Sequence, residues 1–202
     1  MSTTIRHLTM AELEAGLDEI LRSPADAGVL EMFVRRPAVG VREELDEAEL
    51  DPAAGLVGDT WSKRGSRRTI DGSPHPDMQI NVMNARVAAL VAQHRSRWLL
   101  AGDQLFVDLD LSEANLPAGT QLHIGSAVIE ITAEPHTGCG KFLERFGADA
   151  TAFVNAAERR GLHLRGVNAR VIGGGTIRTG DRVTKITSSS PDTSSSPARQ
   201  SR

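Results

Sequence analysis

The feature that most constrains this chain is its second half, where short apolar segments alternate with glycine and proline turns at close spacing. Gln104–Val107, Gln121–Ile124 and Ala127–Ala133 have β-type patterning, separated by turns at Pro117-Ala118-Gly119 and Gly125-Ser126. After Gly161 come HLRGVNARVI, a glycine-rich turn GGGTIRTGD, and RVTKI. This pattern argues against the layers of a doubly wound sheet. Closely spaced strands of this kind suit a closed or partly closed barrel, which leaves few exposed strand edges. The fold class expected is therefore mainly β with short helices.

The first half adds to this frame. Thr9 is placed to cap a helix over Met10–Arg22, with Leu13, Leu17, Ile20 and Leu21 on one face and Ser23-Pro24 as its stop. Residues 1–27 thus form a helical extension packed on a domain spanning 28–187. VLEMFVRRPAVGVREEL reads as two β segments around Pro37, and the acidic run Glu43 to Asp51 as a solvated surface. Gly55–Asp77 is loop-like and carries Lys63, Arg64, Arg67 and Arg68; a loop of this length suggests function. MQINVM is a strand leading into a helix over Ala85–His94, and further helices are expected at Gly140–Phe146 and Asp149–Arg160. Residues 188–202, rich in Ser and Pro, lack the apolar area to offset the entropy of ordering and are expected to be disordered.

Composition narrows the partners. A formal charge of −3 gives no electrostatic case for nucleic acid or a membrane surface. Aromatics are scarce, with five Phe, two Trp and no Tyr, so the core must rest on aliphatic side chains. One cysteine excludes an internal disulfide framework and a multi-cysteine metal knot. The first residues contain no apolar stretch of signal-peptide type, and a cytoplasmic location is expected. Phosphate-loop, dinucleotide-fingerprint, nucleophile-elbow and paired-histidine zinc motifs are all missing.

The remaining chemical signal is EPHTGCGKFLERF, residues 134–146. Cys139 lies between two glycines, so a bulky group can approach its sulfur. His136, Lys141 and the N-terminus of the helix that follows would each favour the thiolate, the form that attacks electrophiles and ligates soft metals. The plain alternative is a small buried hydrophobe, and it stays open at this level. A zinc site from His136 and Cys139 lacks further ligands.

Several blocks, taken in order, resemble a known family: VRRPAVGVRE, GLVGDTW, QINVMNARVAAL, LAGDQLFVDLDLSEANLPAGTQLHIGSAVIEIT, PHTGCGKF and RGVNARVIGGGTIRTGDRV, together spanning about residues 28–186. They resemble the MOSC domain, named for the C-terminal domain of molybdenum-cofactor sulfurases, in its small stand-alone bacterial form. The resemblance implies a small barrel of the pyruvate kinase β-barrel type, with an N-terminal helix here. It implies molybdenum cofactor (molybdopterin) as ligand, and, at family level only, an association with pyridoxal phosphate. Cys139 matches the family cysteine held to ligate molybdenum or to carry sulfur.

On that basis Cys139, His136 and Lys141 are the catalytic candidates. Arg36, Asp59, Arg67, Arg68, Asn81, Thr137, Gly138, Gly140 and Arg165 are the candidates for holding the cofactor. The basic side chains of the 63–68 loop would meet its phosphate, and Asp59 or the asparagines Asn81 and Asn84 its pterin nitrogens. Three functions follow: reduction of N-hydroxylated or N-oxide small molecules with electrons from a separate protein, sulfur transfer through a persulfide on Cys139, or binding without chemistry. Two features of relatives are missing: the additional N-terminal barrel region and any fused redox or aminotransferase-like module.

Overall fold

The computed structural model describes residues 6–186. The tail expected at 188–202 lies outside them. Eleven strands occur among the described residues: β1 Gly28–Arg35, β2 Glu43–Leu45, β3 Glu47–Asp51, β4 Gly55–Leu56, β5 Ile80–Asn84, β6 Leu105–Asp108, β7 Gln121–Ile124, β8 Ala127–Ile131, β9 Val167–Gly173, β10 Gly175–Arg178 and β11 Arg182–Lys185. Seven of them close into a barrel in the order β1-β11-β7-β8-β9-β5-β6, with β6 returning to β1. All neighbours are antiparallel except β5 and β6, which pair in parallel with α3 (Ala85–Ala92) as the start of their crossover. Closure removes the open edges that a seven-stranded sheet would otherwise expose.

Strand alternation fills two cores. Along β8, Ala127, Ile129 and Ile131 are buried while Val128 and Glu130 are not, the period expected of a barrel wall. Inward residues such as Leu30, Ile80, Val82 and Leu105 form the barrel interior. Outward residues Met32, Val34, Met83 and Phe106 form a second core with the helices. All five phenylalanines are fully buried, and four of them (Phe106, Phe142, Phe146, Phe153) lie in this outer layer. The barrel is aliphatic as the composition requires; the few aromatics are spent on fixing helices to its wall.

Three expectations need correction. The N-terminal helix breaks into α1 Met10–Ala15 and α2 Leu17–Leu21 at Gly16, where a Cβ would run into the Leu90 side chain. Thr9 does cap α1, in a capping box with Glu12. The acidic run 43–51 forms β2 and β3 rather than bare surface, because Leu50 on its alternate face is fully buried. Within 55–77, β4 and two short 3-10 turns, Trp61–Lys63 and Pro76–Met78, anchor what read as continuous loop.

The last helix, α4 Gly140–Asn155, is two segments meeting at Gly147, whose φ of 90° and ψ of 172° are not helical. Only glycine adopts that conformation at no steric cost, and the chain reverses there. The expected helices at 140–146 and from 149 are both present; the second ends at Asn155 instead of continuing to Arg160, and residues 157–162 form a 3-10 segment.

Candidate functional site

The segment from Thr132 to Cys139 links β8 to α4 across one end of the barrel, and each part of it is tied down. Thr132 Oγ1 donates to the Asp77 carbonyl at 2.6 Å, and Asn168 Nδ2 donates to the Glu134 carbonyl at 3.0 Å. The Gly138 N–H donates to Asn155 Oδ1 at 2.8 Å. Cys139 has extended backbone geometry as the N-cap of α4, its carbonyl accepting from the N–H groups of Phe142 and Leu143. The side chain is exposed, which removes the buried-hydrophobe reading. A Cβ on Gly140 would meet nothing within 4 Å, so the approach to the sulfur is open.

Beneath this segment lie three arginines, two of them, Arg36 and Arg165, buried. Three successive carbonyls at the end of the 3-10 segment Arg95–Ala101 each accept from a different one: Arg145 on Leu100 at 2.6 Å, Arg165 on Ala101 at 3.0 Å and Arg36 on Gly102 at 2.9 Å. Arg36 also forks onto Asp59 at 2.8 and 3.0 Å and reaches Asn81 at 3.2 Å. Arg165 places one nitrogen on both oxygens of Asp103, at 2.9 and 2.8 Å, while its guanidinium lies 5.0 Å from the Phe142 ring centre. The carboxylates of Asp59 and Asp103 are wholly buried. Buried ions of this kind persist only when paired.

The network extends to the cysteine segment. Asn81 donates to Asn168 at 2.6 Å, Asn168 holds the Glu134 carbonyl, and the Glu134 carboxylate pairs with Arg68. Arg36, Asp59, Asn81 and Arg68, far apart in sequence, are therefore joined in one chain of polar contacts.

His136 faces the second buried pair, its Nδ1 3.5 Å from Asp103 with no hydrogen bond formed. Burial, then the charge of Arg165, lowers its pKa to about 4, so the ring is neutral at pH 7. It supplies no positive charge to Cys139, contrary to the sequence expectation. Arg165 Nε is likewise buried and without a partner among the described residues. Both side chains line a cavity of about 620 Å³ with an apolar floor of Leu116, Ile131, Val154 and Val167 and a polar rim that includes Glu134, Asn155, Arg160 and His163. Thr137 lines it too. No lysine does, so the family's association with pyridoxal phosphate finds no amine there for covalent attachment.

The other candidates are placed differently. Lys141 and Arg67 are exposed, and Lys141 sits in the first turn of α4. Asn84 caps α3, accepting from Arg86 and Val87 and donating to Ser23 and Leu109, which leaves it no free hydrogen-bonding group for a ligand. Sequence reasoning missed Asp103, Asn168, Arg145, Arg160 and His163. A signal for Asp103 did exist: like Asp59 it follows a glycine with positive φ, 92° at Gly102 and 84° at Gly58, each ending a tight turn that turns the acid inward.

The donor set fits a cofactor that brings its own metal ligands. Among the described residues no group of three or more His, Cys, Asp or Glu could hold a bare metal ion. One exposed thiol three residues after His136, together with two unpartnered buried nitrogens on the cavity lining, His136 Nδ1 and Arg165 Nε, suits a prechelated metal needing one more soft ligand and an organic group needing polar contacts.

Comparisons with known proteins bear on the fold and the family. The YuaD protein from Bacillus subtilis superposes with a TM-score of 0.57 at 20% identity, over 78% of this chain and 94% of YuaD. YiiM from Escherichia coli gives a TM-score of 0.50 at 19% identity, over 79% of this chain and 70% of YiiM. Among curated proteins, the translocase subunit SecA of Cytophaga hutchinsonii is 30% identical over 130 residues, which cover 62% of this chain but 11% of that protein. No helix of the described residues is long and apolar enough to cross a membrane. Residues 75–184, just over half of the chain, match the MOSC domain. The chain belongs to the MOSC domain family, which is associated with molybdenum-cofactor binding.

Proposed function

We infer that this protein holds molybdenum cofactor with the Cys139 thiolate as a ligand to the metal, and that it reduces N-hydroxylated or N-oxide small molecules. The observation that carries the reading is the exposed Cys139, fixed at the start of α4 and preceded in sequence by residues 132–137, which line an apolar-floored cavity. The bound group would supply a metal able to take up and release electrons next to the cavity.

The chain's own residues have separable tasks. Asn155 fixes the backbone on one side of Cys139, and the first turn of α4 fixes it on the other. Arg165, locked by Asp103, turns its free Nε to an acceptor on the ligand. Neutral His136 offers a ring nitrogen that donates or accepts as the ligand requires. The apolar floor excludes water from a bound substrate. The N–O bond is broken with two electrons and two protons, giving water and either the N–H compound, from an N-hydroxylated substrate, or the parent amine, from an N-oxide. The electrons come from a separate donor protein, since the chain carries one cysteine and no cofactor motif for electron transfer.

Metal and pterin analysis of wild type and Cys139→Ala, both produced in cells that make the cofactor, tests this reading. About one equivalent of molybdenum in wild type and none in the variant is expected. No molybdenum in either would overturn it. The open approach to the sulfur favours one second reading, a persulfide carrier. Cyanolysable sulfur on wild type without metal would select it.

A further inference from the structure

Breaking an N–O bond consumes two protons, and one side chain on the cavity wall is arranged to deliver one of them. His163 follows the 3-10 segment Ala157–Leu162 and lines the cavity together with His136, Thr137 and Asn155. Its Nδ1 lies 2.9 Å from the Leu111 carbonyl. A carbonyl oxygen only accepts, so Nδ1 carries hydrogen in the neutral ring and in the charged one alike. Nε2 is therefore the nitrogen that gains and loses a proton, and it has no hydrogen-bond partner among the described residues. Leu111 stands outside the cavity wall, so the Nδ1 edge of the ring is its anchored edge and the Nε2 edge its free one.

The backbone of His163 is pinned as well. Its N–H donates to the Arg160 carbonyl at 3.1 Å, and its own carbonyl accepts from Gly166 at 2.7 Å. These contacts hold it at φ 48° and ψ 43°, a left-handed conformation that glycine and asparagine adopt more readily. The segment after Leu111 is stitched to the same turn, Glu113 donating its N–H to the Gly161 carbonyl at 2.8 Å. A histidine held this way, with one nitrogen committed and the other free, has the arrangement of a proton-transfer group.

The other ionisable groups on the cavity wall suit the task less well. Arg160 and Arg165 are guanidinium groups, which do not release protons in proteins. Glu134 is engaged by Arg68, and Glu113 lies on the exposed rim. Burial holds His136 neutral at pH 7.

We propose that His163 is the general acid of the cavity: Nε2 takes up a proton from solvent and passes it to the departing oxygen of an N-hydroxylated substrate. In that step the N–O bond breaks as two electrons from the donor protein enter, and the protonated oxygen leaves as water. The nitrogen takes the second proton from solvent, and His163 returns to its neutral Nδ1–H form. The proposal rests on the reductive reading of the site and supplies the proton source for it.

Two measurements test it: nitrogen-15 NMR of the histidine-labelled full chain, and kinetics of the cofactor-loaded protein with phenylhydroxylamine as substrate and reduced methyl viologen as electron donor. His163→Asn keeps a side-chain donor for the Leu111 carbonyl and tolerates the left-handed backbone, but cannot transfer a proton. Its kcat should fall about hundredfold, with KM little changed and molybdenum content equal to wild type. In His163→Gly, added imidazole should restore part of the lost kcat while leaving wild type unaffected. The NMR signal of His163, identified by its loss in His163→Asn, should be that of the Nδ1–H tautomer at alkaline pH. Circular dichroism verifies that each variant is folded. The Nε2–H tautomer, or wild-type kcat in a folded His163→Asn, overturns the role of His163 alone. A loss of kcat that imidazole does not restore makes His163 a positioning residue and overturns it too. No turnover by the loaded wild type overturns the reductive reading, and this role with it.

Discussion

The N–H of Gly138 donates to Oδ1 of Asn155 at 2.8 Å, so the residue before Cys139 is held by the far end of the helix that Cys139 begins. The arrangement depends on the reversal at Gly147, which brings the end of α4 back to its start. Asn155 returns the contact weakly, its Nδ2 lying 3.4 Å from the Gly138 carbonyl.

Asn155→Ala should free this segment while leaving the barrel intact. The loss in stability is expected to be about 0.5–1.5 kcal/mol, one hydrogen bond's worth. Amide hydrogen exchange at Gly138 should rise well beyond that at β-barrel positions. Unchanged exchange there would mean that the contact does not hold the segment.

Asp103→Ala should be far more damaging, because it strands the buried Arg165 charge. A loss of about 3–5 kcal/mol is expected in urea unfolding. Glu43→Ala, which breaks the half-exposed pair with Arg35, should cost about 1 kcal/mol or less. Similar midpoints for the two variants would contradict the view that burial sets the difference.

His136 makes stability depend on pH in a defined window. Its folded pKa of about 4 lies below the ordinary histidine value, so the unfolded chain takes up a proton first as pH falls. The contribution is fully present above about pH 6.5 and is lost progressively down to about pH 4, a change on the order of 3 kcal/mol. His136→Gln should flatten the stability curve across that window relative to wild type. Parallel curves for the two proteins would show that His136 titrates normally in the folded state.

Gly166→Ala tests the backbone under the cavity. Gly166 has φ of 108°, and a Cβ there would collide with the Val82 carbonyl oxygen and press on His136. A drop in Tm of about 6–12 °C, or failure to fold, is expected from a loss of about 3 kcal/mol. Gly40 also has positive φ, 83°, but open space around it, so Gly40→Ala should carry only the backbone penalty of about 1–2 kcal/mol.

Much was legible in the chain itself. Period-two alternation and glycine turns set short strands in a barrel, Thr9 marked the start of the first helix, and the glycines around Cys139 announced an accessible sulfur. These are local properties, fixed by side-chain periodicity and backbone freedom over a few residues. What the fold decided was pairing across long separations. Arg36 reaches Asp59 and Asn81, Arg165 reaches Asp103, and Arg68 reaches Glu134, none of which sequence spacing specifies. The same closure explains why His136 is neutral: charge and desolvation depend on what the barrel and α4 bring alongside. A sequence lists the ionisable groups, but only the tertiary structure sets their distances and burial, and with them their chemistry.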